Sequence, residues 1–321
     1  MAVAQKTLRE ARIGVIGATG AVGAVTLGLL ADRGYDNVRA FGSERSAGSS
    51  VPFGGIALVV EEATPDVLSA GDLDVCLFSV GTSASQELVP HAVRGGTVCV
   101  DKSSAYRLEP GIPLVVPEVN GARARENEGI VANPNCCTIP LTCALKPLHD
   151  AAGLVRVRVA TYQSVSGAGA AAMARLRGES VEQHAVRMDW DFDGVEFDEE
   201  EKLRAETRKI MELPELPISA TCVRVPVLVG HSEAVWIETQ EPLSAAQARA
   251  LLAAAPSVHV DEVPTPGEAA GADEVYVSRI RTDPTVENGL ALFVSCDNLR
   301  KGAALNALQI ADLLVRVPAQ V

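Results

Sequence analysis

The segment Gly17-Ala18-Thr19-Gly20-Ala21-Val22-Gly23 constrains the fold more than any other part of the chain. It follows the short apolar run ARIGVIG and opens the helical stretch AVGAVTLGLLADRG, which Gly34 closes. Glycines at these spacings let the backbone approach a pyrophosphate, and the first turn of a helix presents N–H groups with no intrahelical partner. A glycine pattern alone is a weak signal. Between a strand and a helix near the start of a chain, it predicts a dinucleotide-binding βαβ unit. A tight structural turn accounts for the glycines but not for that setting.

The alternation continues through the first half. NVRAFG, DLDVCLFSV and TVCVD read as strands, and SQELVPHAVRGG as a helix ending in glycines. Such β-α-β order predicts a parallel, doubly wound sheet. The character changes near Asn133. CTIPLTCALKPLHD reads as a helix. LVRVRVATYQSVS, ISATCVRVPVLVG, SEAVWIETQ, DEVYVSRIR and LALFVSCDN read as long strands rich in Val, Thr and Ile. The expected fold class is α/β: an N-terminal Rossmann-type dinucleotide-binding domain over 1–135, then a second α+β domain over 136–298 with a mostly antiparallel sheet. The last stretch, LRKGAALNALQIADLLVRV, has apolar residues at helical spacing, and a helix over 299–321 is expected to complete the first domain. The acidic run DWDFDGVEFDEEEK reads as a solvated loop and helix start.

Composition narrows the function classes. A formal net charge of −13 argues against nucleic acid as a partner. It leaves an anionic substrate open, because an acidic protein can carry a local basic pocket. The longest apolar runs fall short of the roughly 18 residues that span a bilayer, and MAVAQKTLREAR lacks the apolar core of a signal peptide. A cytoplasmic protein is expected. The seven cysteines are odd in number and contain no CxxC pair, which argues against a disulfide scaffold and against a zinc or other metal site. Most sit in apolar runs and read as small core residues in a reducing compartment.

Two segments carry finer chemistry. The second strand ends at Gly42 and is followed by Ser43-Glu44-Arg45-Ser46. An acidic residue there suits the 2′-hydroxyl of NAD, whereas an arginine suits the 2′-phosphate of NADP. Ser43, Arg45 and Ser46 form a phosphate cradle that favours NADP, and Glu44 is the residue able to spoil it. Asn133-Pro134-Asn135-Cys136-Cys137-Thr138 precedes a helix. A cysteine at a helix N-terminus gains thiolate character and can attack an activated carbonyl. Spacing alone does not choose between Cys136 and Cys137, and two buried core cysteines would give the same pattern. Of the five histidines, His91, His149 and His184 fall in helical stretches and His259 beside acidic residues. His231 follows the strand and glycine of VPVLVGHS, seven residues after Arg224. If the chain reverses between them, both can face one pocket.

Taken together, GATGAVG, SERSAG, NPNCCTIP, TYQSVSGAG, KLRAETRKI, ATCVRVPVLVGHSE and DNLRKGAALNALQIA resemble the aspartate-semialdehyde dehydrogenase family, in order and nearly end to end. The resemblance implies an NADPH-dependent enzyme that reduces L-4-aspartyl phosphate to L-aspartate 4-semialdehyde, a step toward lysine, threonine and methionine. It implies Cys136 as nucleophile, Gln163 as the amide that orients substrate near the thiol, and His231 as general acid/base. It implies Arg224 for the substrate α-carboxylate and Glu199 for the α-amino group. Arg107, Asn135 and Lys202 resemble the phosphate-binding set. Ser166, Gly167 and Asn298 resemble residues at the nicotinamide end, beside Gly17, Thr19, Gly20, Ala21, Val22, Gly23, Ser43, Arg45 and Ser46 for the rest of the cofactor. A homodimer is implied.

Two features depart from the family pattern. Cys137 stands where Ser or Thr usually follows the nucleophile, and the stretch from Gly169 to Glu199 is shorter than in many members. The nearest alternative is an N-acetyl-γ-glutamyl-phosphate reductase, which uses the same chemistry on a longer substrate. A catalytically silent nucleotide-binding relative is the alternative of another class. The joint presence of Cys136, Gln163, Arg224 and His231 speaks against it.

Overall fold

The computed structural model describes residues 10–178 and 186–315, so His184 lies outside the described residues. The chain divides into two compact units, Met1–Pro134 with Ala303–Val321, and Asn135–Gly302.

The first unit is built on a seven-stranded sheet. Its strands are β1 (Ile13–Ile16), β2 (Val38–Gly42), β3 (Ser50–Phe53), β4 (Ile56–Glu62), β5 (Val75–Phe78), β6 (Val98–Asp101) and β7 (Ile130–Ala132). The order is β3-β4-β2-β1-β5-β6-β7. Every pairing is parallel except β3 with β4. Both β1 and β5 are buried on both faces, as continuous apolar runs require in a parallel sheet. The chain leaves β1 toward β2 and β4, then crosses over to β5, so strand order reverses between β1 and β5. Ligands of such sheets sit beyond the strand C-termini at that reversal. The connecting helices are α1 (Ala21–Asp32), α2 (Pro65–Leu68), α3 (Thr82–Arg94) and α4 (Pro117–Asn120). The β3–β4 hairpin turns on Gly54 and Gly55, whose φ values of 52° and 86° belong to the left-handed region. Periodicity did not anticipate this hairpin, because β4 is largely exposed and its sequence has no clear alternation.

The second unit carries a six-stranded sheet of order β11-β12-β13-β10-β8-β9. Its elements in chain order are α5 (Thr138–Ala152), β8 (Leu154–Gln163), α6 (Ala170–Gly178), α7 (Asp198–Met211), β9 (Ile218–Arg224), β10 (His231–Thr239), α8 (Ala245–Ala254), β11 (Val258–Val260), α9 (Pro266–Ala269), β12 (Val275–Asp283) and β13 (Gly289–Cys296). Three of the five pairings are antiparallel, and β8–β9 and β11–β12 are parallel. Helix α5 packs on β10, β12 and β13, and α7 packs on β9. The acidic run becomes the start of α7, with Asp198, Glu199, Glu200 and Glu201 in its first turn, where the helix dipole favours carboxylates.

The C-terminal stretch is not one uniform helix. A π-helical turn over Arg300–Ala304 precedes α10 (Leu305–Val315). Ala304, Leu305, Ala307, Leu308, Ile310 and Ala311 then join the core of the first unit.

Candidate active site

The first unit presents a mouth made of backbone. Gly17 adopts φ +84°, and a Cβ there would lie 2.4 Å from the Ser79 carbonyl oxygen. A Cβ on Gly23 would lie 2.1 Å from the Gly17 oxygen, so only hydrogen fits where α1 turns under the loop. Gly20 caps α1 without a side-chain hydrogen bond, and the first turn holds no acidic residue. The N–H groups of that turn are therefore left to an anion, and the site suits a dinucleotide pyrophosphate. Thr19 is exposed at the loop, and Ala21 and Val22 open the helix. Beyond β2, Ser43, Glu44 and Arg45 are exposed, while the Ser46 hydroxyl donates to the Ser43 carbonyl. Arg107 also belongs to this unit. Its Nε donates to the Asn133 carbonyl at 3.1 Å and Nη2 to the Lys102 carbonyl at 2.7 Å.

The second unit gathers side chains instead. Of the seven cysteines, Cys136 is partly exposed and the other six are buried. Both Cys136 and Cys137 precede the first turn of α5. Burial pushes the Cys137 thiol well above the usual range, so it stays protonated at neutral pH. The Cys136 and Cys137 sulfurs and a ring nitrogen of His231 all lie within 4.8 Å of one another.

Asn135 ties this segment down through three hydrogen bonds. Its N–H donates to Glu206 at 2.6 Å, its Nδ2 donates to Glu199 at 2.9 Å, and its Oδ1 accepts the Cys137 N–H at 2.8 Å. The Cys137 N–H is thereby taken and is not a free oxyanion donor. Gln163, at the end of β8, donates from Nε2 to the same Glu199 Oε1 at 2.8 Å and accepts from the Thr161 hydroxyl. Lys202 pairs with Asp198 at 2.5 Å, and its Nζ lies 4.0 Å from Glu199. Burial, then the charge of Cys136, raises the Glu199 carboxyl. Glu233 is also buried, two positions after His231 on β10, and neither of its oxygens has a hydrogen-bond partner. Burial pushes it well above the carboxylate range.

His231 is buried, and its hydrogen bonds settle its tautomer. The Ser164 N–H donates to Nδ1 at 3.0 Å. A ring nitrogen that accepts a backbone N–H carries no proton, so the neutral ring holds its proton on Nε2. Nε2 has no hydrogen-bond partner in the structure. The same bond makes a Cys-Cys-His zinc site a poor fit, because a metal-bound imidazole donates its other N–H and finds a donor here. Asn298 Oδ1 accepts from the Ser164 and Ser166 hydroxyls and from the Gly230 N–H. It thus ties the turn after β8 to Gly230, the residue before His231. Arg224, at the end of β9, reaches the same space. A Cβ on Gly167 would lie 3.3 Å from His231 Nε2 and 3.4 Å from Arg224 Nη1. The other described histidines are engaged elsewhere, His91 with Arg94, His149 with the Leu154 N–H and His259 with the Tyr276 ring.

Residues 12–127 match the model of the semialdehyde dehydrogenase NAD binding domain, and residues 145–301 that of the semialdehyde dehydrogenase dimerisation domain. An aspartate-semialdehyde dehydrogenase from Streptomyces akiyoshiensis is 45% identical, with 94% of this chain and 98% of the relative covered. One from Aquifex aeolicus is 42% identical over 95% of this chain and 98% of its own. The chain belongs to the aspartate-semialdehyde dehydrogenase family. Among solved members, aspartate semialdehyde dehydrogenase II from Vibrio cholerae, complexed with ASA, superposes with TM-score 0.90 at 39% identity, covering 95% of this chain and 98% of that one. A Candida albicans member with NADP superposes at TM-score 0.76 and 26% identity, covering 95% and 98%.

Sequence reasoning about this family member missed Glu206, Ser164 and Glu233. Glu206 sits in a helix whose charged run reads as solvated, yet it is 1% exposed. Ser164 was one hydroxyl among several in TYQSVSGAG. Glu233 is a charged residue in an otherwise apolar strand, SEAVWIETQ, and that misfit was the available signal.

Proposed function

We propose that this chain catalyses the NADPH-dependent reductive dephosphorylation of L-4-aspartyl phosphate to L-aspartate 4-semialdehyde. The observation that carries the reading is that one partly exposed cysteine at a helix start lies beside the His231 ring, and that the ring's Nε2 shares one small space with an arginine Nη. That combination suits attack on an acyl group whose substrate also carries a carboxylate. Family membership supplies the substrate class.

Cys136 attacks the acyl carbon as thiolate, the tetrahedral oxyanion collapses, the C–O bond to phosphate breaks and a thioester remains. Gln163 Nε2 has a second N–H, and His231 Nε2 carries a proton. These are the side-chain donors for the oxyanion, since the Cys137 N–H already serves Asn135. When bound, the nicotinamide supplies hydride to the thioester carbon. Collapse of the resulting thiohemiacetal oxyanion breaks the C–S bond and returns Cys136 as the thiolate, to which the His231 Nε2–H donates a hydrogen bond, while the released phosphate takes its proton from solvent. Arg224 grips the α-carboxylate and Glu199 meets the α-amino group. Lys202, Asn135 and Arg107 receive the phosphoryl group. Ser166, Gly167 and Asn298 border the nicotinamide end. The glycine loop from Gly17 to Gly23 holds the pyrophosphate, and Ser43, Arg45 and Ser46 favour NADP over NAD. The NADP in the Candida relative supports that preference, and the dimerisation-domain match supports a homodimer.

An assay of the reverse reaction tests this. Semialdehyde, inorganic phosphate and NADP should yield NADPH, N-acetyl-glutamate semialdehyde should not replace the substrate, and NAD should serve poorly. Preferential use of the acetylated substrate would overturn the substrate assignment, and equal use of NAD would overturn the cofactor preference.

A further inference from the structure

Arg224 is held more closely than a substrate clamp needs to be if charge is all it contributes. Residue 187 pairs with it as backbone. The Arg187 N–H donates to the Arg224 carbonyl at 3.0 Å, and the Arg224 N–H donates to the Arg187 carbonyl at 2.8 Å. This bridge lies at the end of β9, the edge strand of its sheet. It brings Asp189 and Trp190 onto the guanidinium. Nε donates to Asp189 Oδ1 at 2.8 Å and lies 3.0 Å from Oδ2. The guanidinium carbon stands 4.6 Å from the Trp190 ring centre. From the other side, Nη1 donates to the Ser164 carbonyl at 2.9 Å.

A guanidinium has five N–H groups in one plane. Asp189 takes the single Nε hydrogen, Ser164 takes one of the two on Nη1, and Trp190 covers one face. What remains is the Nη1/Nη2 edge, the edge that meets a carboxylate end-on with two parallel hydrogen bonds. Its Nη1 lies near the same Gly167 position as His231 Nε2. We propose that Asp189 and Trp190 are positioning residues that fix the Arg224 guanidinium with this edge toward the substrate carboxylate, and so set selectivity for substrates that carry one. The role rests on the proposed function.

Two effects of Asp189 oppose each other. Its charge offsets that of Arg224 and weakens attraction for a second carboxylate, while its hydrogen bond removes the freedom of a long side chain. Its side chain is 39% exposed and that of Arg224 only 8%. Solvent screens the charge at that exposure. Orientation, in contrast, decides whether both hydrogen bonds form at once. Positioning therefore dominates.

Steady-state kinetics of the full chain test this with two aldehydes, L-aspartate 4-semialdehyde and 3-aminopropanal, which lacks the α-carboxylate. Asp189→Ala should raise KM for the semialdehyde about tenfold with kcat within about twofold, and leave kcat/KM for 3-aminopropanal unchanged. Asp189→Asn keeps an acceptor for Nε without the charge and should restore most of the loss. Trp190→Leu should fall between. A lower KM in Asp189→Ala would show an internal competitor for the clamp and overturn the proposal. So would equal losses on both aldehydes, or an Asn variant no better than Ala. A wild-type enzyme inactive on the semialdehyde would instead overturn the proposed function itself, and this role with it.

Discussion

The cofactor mouth of the first unit and the thiol cluster of the second solve the same problem, holding an anionic ligand, with different materials. The mouth is backbone. Seven consecutive residues set it, and its limits are steric, as at Gly17 and Gly23. The cluster is side chains, drawn from the turn before α5 and from α7, β8, β9 and β10. Asn135 meets Glu199 across 64 positions, and Ser164 meets His231 across 67. A backbone site fails when atoms are added. A side-chain site fails when atoms are removed, and some of its members tolerate exchange.

Exchange within the thiol pair is the sharpest way to test that contrast. Cys136→Ala should lower kcat by at least about 10⁴-fold, since no other described thiol is accessible. Cys137→Ser should keep most of the activity, because its buried thiol is protonated and its backbone N–H, not its sulfur, holds Asn135. Steady-state rates on both variants decide it, and the reverse pattern would move the nucleophile to Cys137. In the mouth, added atoms should be the fault. Gly23→Val drives a side chain into the Gly17 carbonyl and should cost about 3 kcal/mol of stability and most NADPH affinity. Urea unfolding and titration with NADPH measure both. Tolerance of valine would mean that the loop is not sterically set.

The smallest effect would break the contrast rather than sharpen it, because the first unit also holds a side chain whose charge its surroundings disfavour. Lys102 Nζ is enclosed without a hydrogen-bond partner, and burial lowers its ammonium from 10.5 to about 7. Between those pH values the unfolded chain binds a proton that the folded chain does not, so stability rises with pH across that window. Lys102→Met should therefore be more stable than wild type by about 1–3 kcal/mol at pH 7, with the gain fading toward pH 10.5. Thermal unfolding at several pH values would show it. A gain that does not change with pH would mean that packing, not charge, separates the two.

How much was legible follows from the same contrast. The glycine loop, β1, α1 and the parallel order could be read, because each is encoded in a short continuous run. The long strands of the second unit could be read too, since β8 keeps an alternation of buried and exposed residues. The β3–β4 hairpin could not, for want of a buried face. Within the cluster, residue types pointed to the pair Cys136 and Cys137 and to His231 and Arg224, the family resemblance singled out Cys136, and what orients these side chains could not be seen. Asp189 and Trp190 sit in an acidic, solvated-looking run, and only the backbone bridge between Arg187 and Arg224 shows where they go. The π-helical turn before α10 carries no local signal that distinguishes it from ordinary helix.

The return of α10 has a consequence for synthesis. The core that surrounds β1 contains Leu305, Leu308 and Ile310, which are made after the whole of the second unit. The second unit is one uninterrupted stretch from Asn135 to Gly302 and has all its strands before those residues exist. Nascent domains commonly mature in the order in which they are made. Here the unit begun first is finished last, and until then its sheet exposes the apolar surface that the final helix will cover.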